Sequence, residues 1–250
     1  MSRYLEQTSC PRCPSSDAFT VYADGSGYCF SCGHFKAPLG RSNESMRKVL
    51  DKVLSSKPDA HNVQAKGIVV LPSDCNSYIP PEPMAWIKQY GITNDEIRKN
   101  HICYSPERQM LIFPFFDGEG NCIFWQGRYF PKRQPKVYSE GFSRTALVIL
   151  PSQVQNETLC AVEDPVSAIK VSREVSTLCL FGSHLHMSTA LYTSRSYKRL
   201  ILWLDSDKSK EASKMQQRYS YLFKDGIHVV RTEHDPKVYT TEQIKQFLTN

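Results

Sequence analysis

The sequence predicts a multidomain chain of mixed α/β and α+β build: a small β ribbon, then an α+β segment with a basic face, then a parallel sheet wound with helices. Three observations carry this. Cys10, Cys13, Cys29 and Cys32 form two C-x-x-C pairs fifteen residues apart. Two strand-prone runs, 110–116 and 122–129, flank the turn-forming string Asp117-Gly118-Glu119-Gly120-Asn121. From 151 to 250, short apolar runs alternate with helical segments.

The cysteine frame is the most specific signal. Two such knuckles bring four thiolates to the corners of a tetrahedron around one Zn²⁺, and a module of this size cannot bury enough apolar surface to fold without its metal. The ribbon is assigned to 1–37. Its strands, Ala18 to Tyr22 and Tyr28 to Phe30, are separated by the turn Asp24-Gly25-Ser26-Gly27. Arg12, Tyr22, His34, Phe35 and Lys36 give it the basic and aromatic side chains that contact bases and phosphates of single-stranded nucleic acid. Residues 38–66 read as a flexible tether, with Pro38 and Gly40 at its start and a short helical pattern from Glu44 to Leu54.

An α+β basic subdomain is assigned to 67–150. Pro81 to Tyr90 reads as a helix stopped by Gly91, and Thr93 with Glu96 forms a capping box that opens a second helix through Asn100. The second strand of the predicted hairpin runs into Arg128, Lys132, Arg133 and Lys136, with no acid between Glu119 and Glu140 to neutralise them. Interleaved with Trp125, Tyr129, Phe130 and Tyr138, they suggest a nucleotide or template track over a merely solvated face.

Strands at Leu159 to Glu163, Thr177 to Phe181, Leu200 to Leu204 and Ile227 to Val230 alternate with helices at Asp164 to Glu174, Met187 to Ser194 and Ser209 to Leu222. In a parallel sheet the ligand site lies at the carboxyl ends of the strands. The residues there are Glu163, then Asp205 and Asp207, then Asp235. On an extended segment Asp205 and Asp207 point to one side, so with Glu163 they can hold a Mg²⁺ or Mn²⁺ ion that completes its shell with water and substrate phosphates. Asp164, followed by Pro165, reads as a helix cap; Asp207 and Ser209 are also plausible caps for the helix that follows them.

Composition sets the bounds. The 250 residues are 40% hydrophobic, enough for a core beyond the ribbon, and the net charge of +6 permits a polyanionic partner. No apolar run has the length of a membrane span and the start carries no signal-peptide pattern, so a cytoplasmic location is expected. Cys75, Cys103, Cys122, Cys160 and Cys179, irregularly spaced in apolar stretches, are expected as buried reduced thiols.

The ordered set of a four-cysteine ribbon, a tether, Leu111-Ile112-Phe113-Pro114 through Trp125-Gln126-Gly127-Arg128-Tyr129-Phe130, and Pro135-Lys136-Val137-Tyr138 resembles the amino half of DNA primases of the bacterial and bacteriophage type. The acidic loops of 151–250 look like the Toprim domain, a Rossmann-like fold shared with topoisomerases. The resemblance implies templated synthesis of short RNA primers on single-stranded DNA from ribonucleoside triphosphates. By position it implies divalent-metal binding at Glu163, Asp205 and Asp207, with Asp235 as a weaker metal-side acid, and nucleotide and template handling at Arg128 and Lys136. Two departures stand out: Asp164 occupies the place of the family's usual Gly, and the Asp235-Pro236 pair lacks the second acid that often accompanies it. No G-x-x-x-x-G-K-[ST] motor motif occurs, so the implied helicase, like the DNA polymerase, is a separate polypeptide; a small phage-encoded primase fits these features. Two alternatives remain open: a non-catalytic zinc and Toprim recombination mediator that binds DNA, and a Toprim nuclease.

Overall fold

The computed structural model describes residues 4–23, 25–29, 34–36, 69–141, 147–154 and 156–249. The chain divides into two units, Met1–Lys57 and Pro58–Asn250. The expected tether at 38–66, with its helical pattern at 44–54, and the fourth cysteine, Cys32, lie outside the described residues.

In the first unit, β1 (Tyr4–Thr8), β2 (Phe19–Tyr22), β3 (Gly27–Cys29) and β4 (Phe35–Lys36) form an antiparallel sheet in chain order. Its core is small: Cys10, Phe19 and Cys29, with Val21 and Ala18 against them. The β2–β3 turn closes through the Tyr22 N–H to the Ser26 carbonyl at 2.9 Å, and Gly25 adopts φ 77° there. Gly27 is required by packing, since a Cβ at this position would meet the Phe19 ring at 2.4 Å. Such a sparse core agrees with a module that needs more than apolar burial to fold.

The second unit holds two sheets. The first is antiparallel, in the order β5 (Cys103–Ser105), β6 (Met110–Phe116), β7 (Cys122–Tyr129), β8 (Val137–Glu140). The predicted β6–β7 hairpin closes through Asp117, whose carboxylate accepts from the N–H groups of Glu119 and Asn121, each at 2.9 Å. Before this sheet lie α1 (Pro81–Lys88) and α2 (Asn94–Lys99). The capping box at Thr93 and Glu96 is formed in both directions. The basic stretch contributes an edge strand, β8, that its composition alone did not announce.

The second sheet runs β13 (Ile227–Val229), β12 (Arg199–Leu202), β10 (Thr158–Val162), β11 (Ser176–Cys179), β9 (Val148–Leu150). Four strands are parallel, as the alternating pattern requires, and β9 adds an antiparallel edge. The helices are α3 (Pro165–Val171), α4 (Met187–Thr193), α5 (Ser209–Tyr219) and α6 (Thr241–Thr249). Strand order reverses between β10 and β12: the chain goes from β10 outward to β11, then returns to β12 on the other side. No described helix is long and apolar enough to cross a membrane.

The sheets share their core. Phe124 of β7 packs with Cys160, Val162, Ile201 and Trp203 of the parallel sheet, while Val166 and Ile169 of α3 pack with Ile87, Ile97, Leu111 and Phe113. Arg173, just past α3, fastens the arrangement. It forms a bidentate pair with Glu96 at 2.7 and 2.9 Å and donates to the Gly91 carbonyl at 2.9 Å and the Thr241 hydroxyl at 3.3 Å. Burial works to raise the Glu96 carboxyl, but the Arg173 and Thr93 bonds outweigh it and hold the group below its ordinary value. Cys122, Cys160 and Cys179 are buried, and the half-buried Cys103 thiol donates to Cys75 at 3.0 Å.

We expect Arg173→Ala to cost the second unit about 2 kcal/mol, because it leaves a half-buried carboxylate and a carbonyl without their donor. Urea denaturation of Arg173→Ala, Glu96→Gln and the double variant should show strong non-additivity. A depressed carboxyl stabilises above its unfolded pKa, so the contribution should be full at neutral pH and lost on acidification through the carboxylate range. Simple addition of the two single effects would contradict the coupling.

Candidate active site

The parallel sheet builds the site by register. Ala161 of β10 lies beside Leu202 of β12, so the residues that follow these strands emerge side by side at the point where strand order reverses. Glu163 leaves β10 and Asp205 leaves β12. The backbone N–H of Asp205 donates to Glu163 Oε1 at 3.0 Å, which holds the two acids together. Asp205 Oδ1 is buried and has no hydrogen-bond partner. A buried carboxylate oxygen without a donor has given up hydration with no compensating hydrogen bond, and its chemistry suits a cation.

Electrostatics agree. Burial, then the Glu163 and Asp235 charges, push the Asp205 carboxyl up to about 7. Burial also raises Glu163; the Asp205 N–H opposes this and the Asp207 charge adds to it. Like charges crowded with little solvent call for a cation.

The chain does not stay extended through Asp207. Ser206–Lys208 is a 3₁₀ turn, and Asp207 sits on it, exposed, with Lys208 at 2.6 Å holding its carboxyl low. The expected same-side alternation therefore does not apply, but the Asp207 charge still acts on Glu163. Neither Asp207 nor Ser209 caps the helix: α5 has no side-chain cap bond, and the Ser209 hydroxyl donates to the Ser206 carbonyl. Asp164 does cap, accepting from Val166 and Ser167 N–H at 3.0 and 3.1 Å with Pro165 in the first turn.

Asp235 follows β13 on a loop held by a chain of bonds. Trp203 Nε1 donates to the Thr232 hydroxyl at 2.8 Å, which donates to the His234 carbonyl at 2.9 Å, while the His234 N–H donates to the Tyr239 hydroxyl at 3.0 Å. From inside the fully buried α3, Lys170 Nζ donates to the carbonyls of Lys237, at 2.9 Å, and Tyr239. Lys237 itself pairs with Asp235 at 2.7 Å and Asp164 at 3.1 Å. Burial disfavours this ammonium, yet the two carboxylates prevail and raise its pKa. Lys170 and Lys237 were not singled out from the sequence. The usable signal was Lys170, a cation set among the apolar Val166, Ala168, Ile169 and Val171.

The basic track divides in two. Lys132, Arg133 and Lys136 are exposed, and Arg133 lies over the Tyr129 ring at 3.4 Å. Arg128 instead lies over the Trp86 ring at 4.5 Å, and its buried Nε has no partner. It lines a cavity of about 100 Å³ together with Trp86, Val137, Asp164 and Lys237. Trp125 and Phe130 are core residues, so neither is available to stack on a base; Tyr138 remains exposed.

In the ribbon, the sulfurs of Cys10, Cys13 and Cys29 converge, with Cys13 and Cys29 Sγ 3.8 Å apart. The Arg12 N–H donates to Cys10 Sγ at 3.3 Å. Arg12 and Lys36 are exposed, Tyr22 is half-buried, Phe35 lies in β4, and His34 stacks on Phe19 with ring centroids 5.7 Å apart.

No protein-family model matches the sequence, and no curated protein matches it. Solved structures do. The zinc-binding and RNA polymerase domains of Aquifex aeolicus primase are 15% identical, with 97% of this chain and 78% of that one covered, at a TM-score of 0.54. The chain has a DNA primase fold. The primase fragment of the bacteriophage T7 primase-helicase is 15% identical over 98% of both chains, at a TM-score of 0.46. The E. coli primase catalytic core is 17% identical over 82% of this chain and 71% of that one, also at 0.46. On this primase fold, the convergence of Glu163 and Asp205 is a property of this chain's own sheet register.

Asp205 supplies a test. Its folded carboxyl titrates at about 7 against an ordinary 3.8, so the folded chain holds a proton that the unfolded chain has released, and stability falls as pH rises through that window. Asp205→Asn removes the charge and keeps the shape. Melting without added divalent ions should show it stabilised more at pH 8 than at pH 5, the excess being about 2–4 °C after allowance for solvent screening. Equal shifts at both pH values would rule out the crowded-charge description.

Proposed function

We propose that this protein is a DNA primase, a nucleotidyltransferase that makes short RNA primers on single-stranded DNA from ribonucleoside triphosphates. The observation that carries the reading is the pairing of Glu163 with Asp205 at the strand-order reversal, where a buried carboxylate oxygen is left without a donor on a primase fold. The reading assigns the Mg²⁺ or Mn²⁺ to Glu163, Asp205 and Asp207, whose hard oxygen donors suit such ions. When bound, the divalent ion supplies Lewis-acid activation of the attacking hydroxyl and neutralisation of the triphosphate.

The chain's residues do the rest by placement. Templated extension joins the 3′-hydroxyl of one ribonucleotide to the α-phosphate of the next and expels pyrophosphate, so the protein must align the two and meet phosphate charge. Arg128 is held flat by Trp86 with a free donor at the cavity wall, which suits it to a phosphate oxygen. Lys132, Arg133 and Lys136 are exposed and have no ion pair among the described residues, as suits residues tracking a template backbone. Asp235, with Lys237, forms the third side of the acid cluster. In the ribbon, Cys10, Cys13 and Cys29 form three corners of a thiolate site that Cys32 would complete around Zn²⁺, and Arg12, Tyr22, His34, Phe35 and Lys36 would read template. A separate helicase and DNA polymerase would act with it at the fork, and the bacterial cytoplasm, through a phage host, is the setting this implies.

The test is incubation of the purified protein with single-stranded DNA of varied sequence, labelled ribonucleotides and Mg²⁺ or Mn²⁺. We expect metal-dependent oligoribonucleotides, lost by at least about a hundredfold in Glu163→Gln and Asp205→Asn, which keep shape and remove charge. Arg128→Ala and Lys136→Ala should weaken template or nucleotide binding and flatten its salt dependence. Elemental analysis should find zinc, absent from Cys29→Ser. DNA binding without synthesis under every condition would replace this reading with the mediator; cleavage of the DNA would replace it with the nuclease.

A further inference from the structure

Five carboxylates meet at the carboxyl end of the parallel sheet, and they are not equivalent. Asp164 is fully engaged. Its Oδ1 accepts the N–H groups of Val166 and Ser167, and its Oδ2 accepts the Ser167 hydroxyl at 2.6 Å and Lys237 Nζ at 3.1 Å. Asp235 gives Oδ2 to the same ammonium at 2.7 Å. Glu163 and Asp205 have no cation within ion-pair distance among the described residues, and Asp205 Oδ1 has no partner at all.

Lys237 differs from an ordinary surface lysine. Its side chain is 18% exposed, against 35% for Lys208 in the other ion pair at this end of the sheet. Its backbone is fixed from below by Lys170, which reaches through the fold to the carbonyls on either side of Val238. The ammonium is thus placed by the protein's interior, between two carboxylates on different loops, and it does not drift in from solvent.

We propose that Lys237 is a built-in cation of the acidic cluster: it takes the Asp164–Asp235 end permanently, confining the divalent-metal capacity of the chain to a single ion at the Glu163–Asp205–Asp207 end. This rests on the metal-holding role given above to Glu163 and Asp205. Asp235 is then a positioning residue that orients Lys237, and no ligand of the ion. An ammonium within 2.7–3.1 Å of both carboxylates leaves no room for a second ion there and repels one nearby.

The test uses Mn²⁺ alone as probe, titrated into the zinc-loaded full chain with free ion read by electron paramagnetic resonance. Wild type should bind one Mn²⁺ at this cluster. Asp205→Asn should weaken it by about tenfold or more, whereas Asp235→Asn should change it by less than about twofold. Lys237→Met should add a second Mn²⁺ or tighten binding by about tenfold, Lys237→Arg should match wild type, and Asp235→Asn placed on Lys237→Met should abolish the gain. Two ions in wild type, with one lost in Asp235→Asn, would overturn the proposal; so would a folded Lys237→Met protein that binds Mn²⁺ as wild type does. Should Lys237→Met fail to fold, the comparison of Asp235→Asn with Asp205→Asn decides alone. A wild type that binds no Mn²⁺ removes the metal reading itself and this proposal with it, whereas Mn²⁺ binding lost in Asp205→Asn but indifferent to Lys237 removes only the latter.

Discussion

The bond from the Asp205 N–H to Glu163 Oε1 organises the acidic end of the parallel sheet. It exists because β10 and β12 are hydrogen-bonded neighbours in parallel register and end together, so each delivers its next residues to the same spot. The bond ties one carboxylate to the backbone that carries the other. Without it, two like charges in a half-buried place would separate. With it, one oxygen of Asp205 stays buried and unpaired among like charges.

The surrounding structure serves that arrangement. The strand core behind the acids is largely apolar, with Cys160, Val162, Ile201 and Trp203 buried, so retreat inward would cost the carboxylates their charge. The third acidic loop is braced by Trp203, Thr232 and Tyr239 from the sheet side and by Lys170 from α3. On the opposite flank, Arg128 of β7 is pinned on Trp86 of α1 and shares a cavity with Lys237. The two sheets reach this cavity from different directions because Phe124, Val166 and Ile169 knit their cores together, and Arg173 fastens the outer side.

Much of this was legible in the sequence because it depends on local chemistry. The β6–β7 hairpin follows from Asp117 and its glycines, the α2 start from Thr93 and Glu96, the α3 start from Asp164 and Pro165, and the parallel sheet from alternating apolar runs. What was not legible depends on distant contacts. Arg128 and Arg133 lie five residues apart in one basic stretch, yet one is half-buried on Trp86 and the other is exposed over Tyr129; the packing of α1 separates them. The 3₁₀ turn at Ser206–Lys208 changed how Asp207 approaches Glu163, and the link from Lys170 to the Lys237 carbonyl spans 67 residues. No local pattern encodes such a pair.

The most direct measurement is a crystal structure of the protein grown with Mn²⁺, with the ion located by its anomalous scattering. The account predicts a peak coordinated by the carboxylates of Glu163 and Asp205 at the ends of β10 and β12. A peak elsewhere, with the Asp205 Oδ1 atom still lacking a partner, would contradict it.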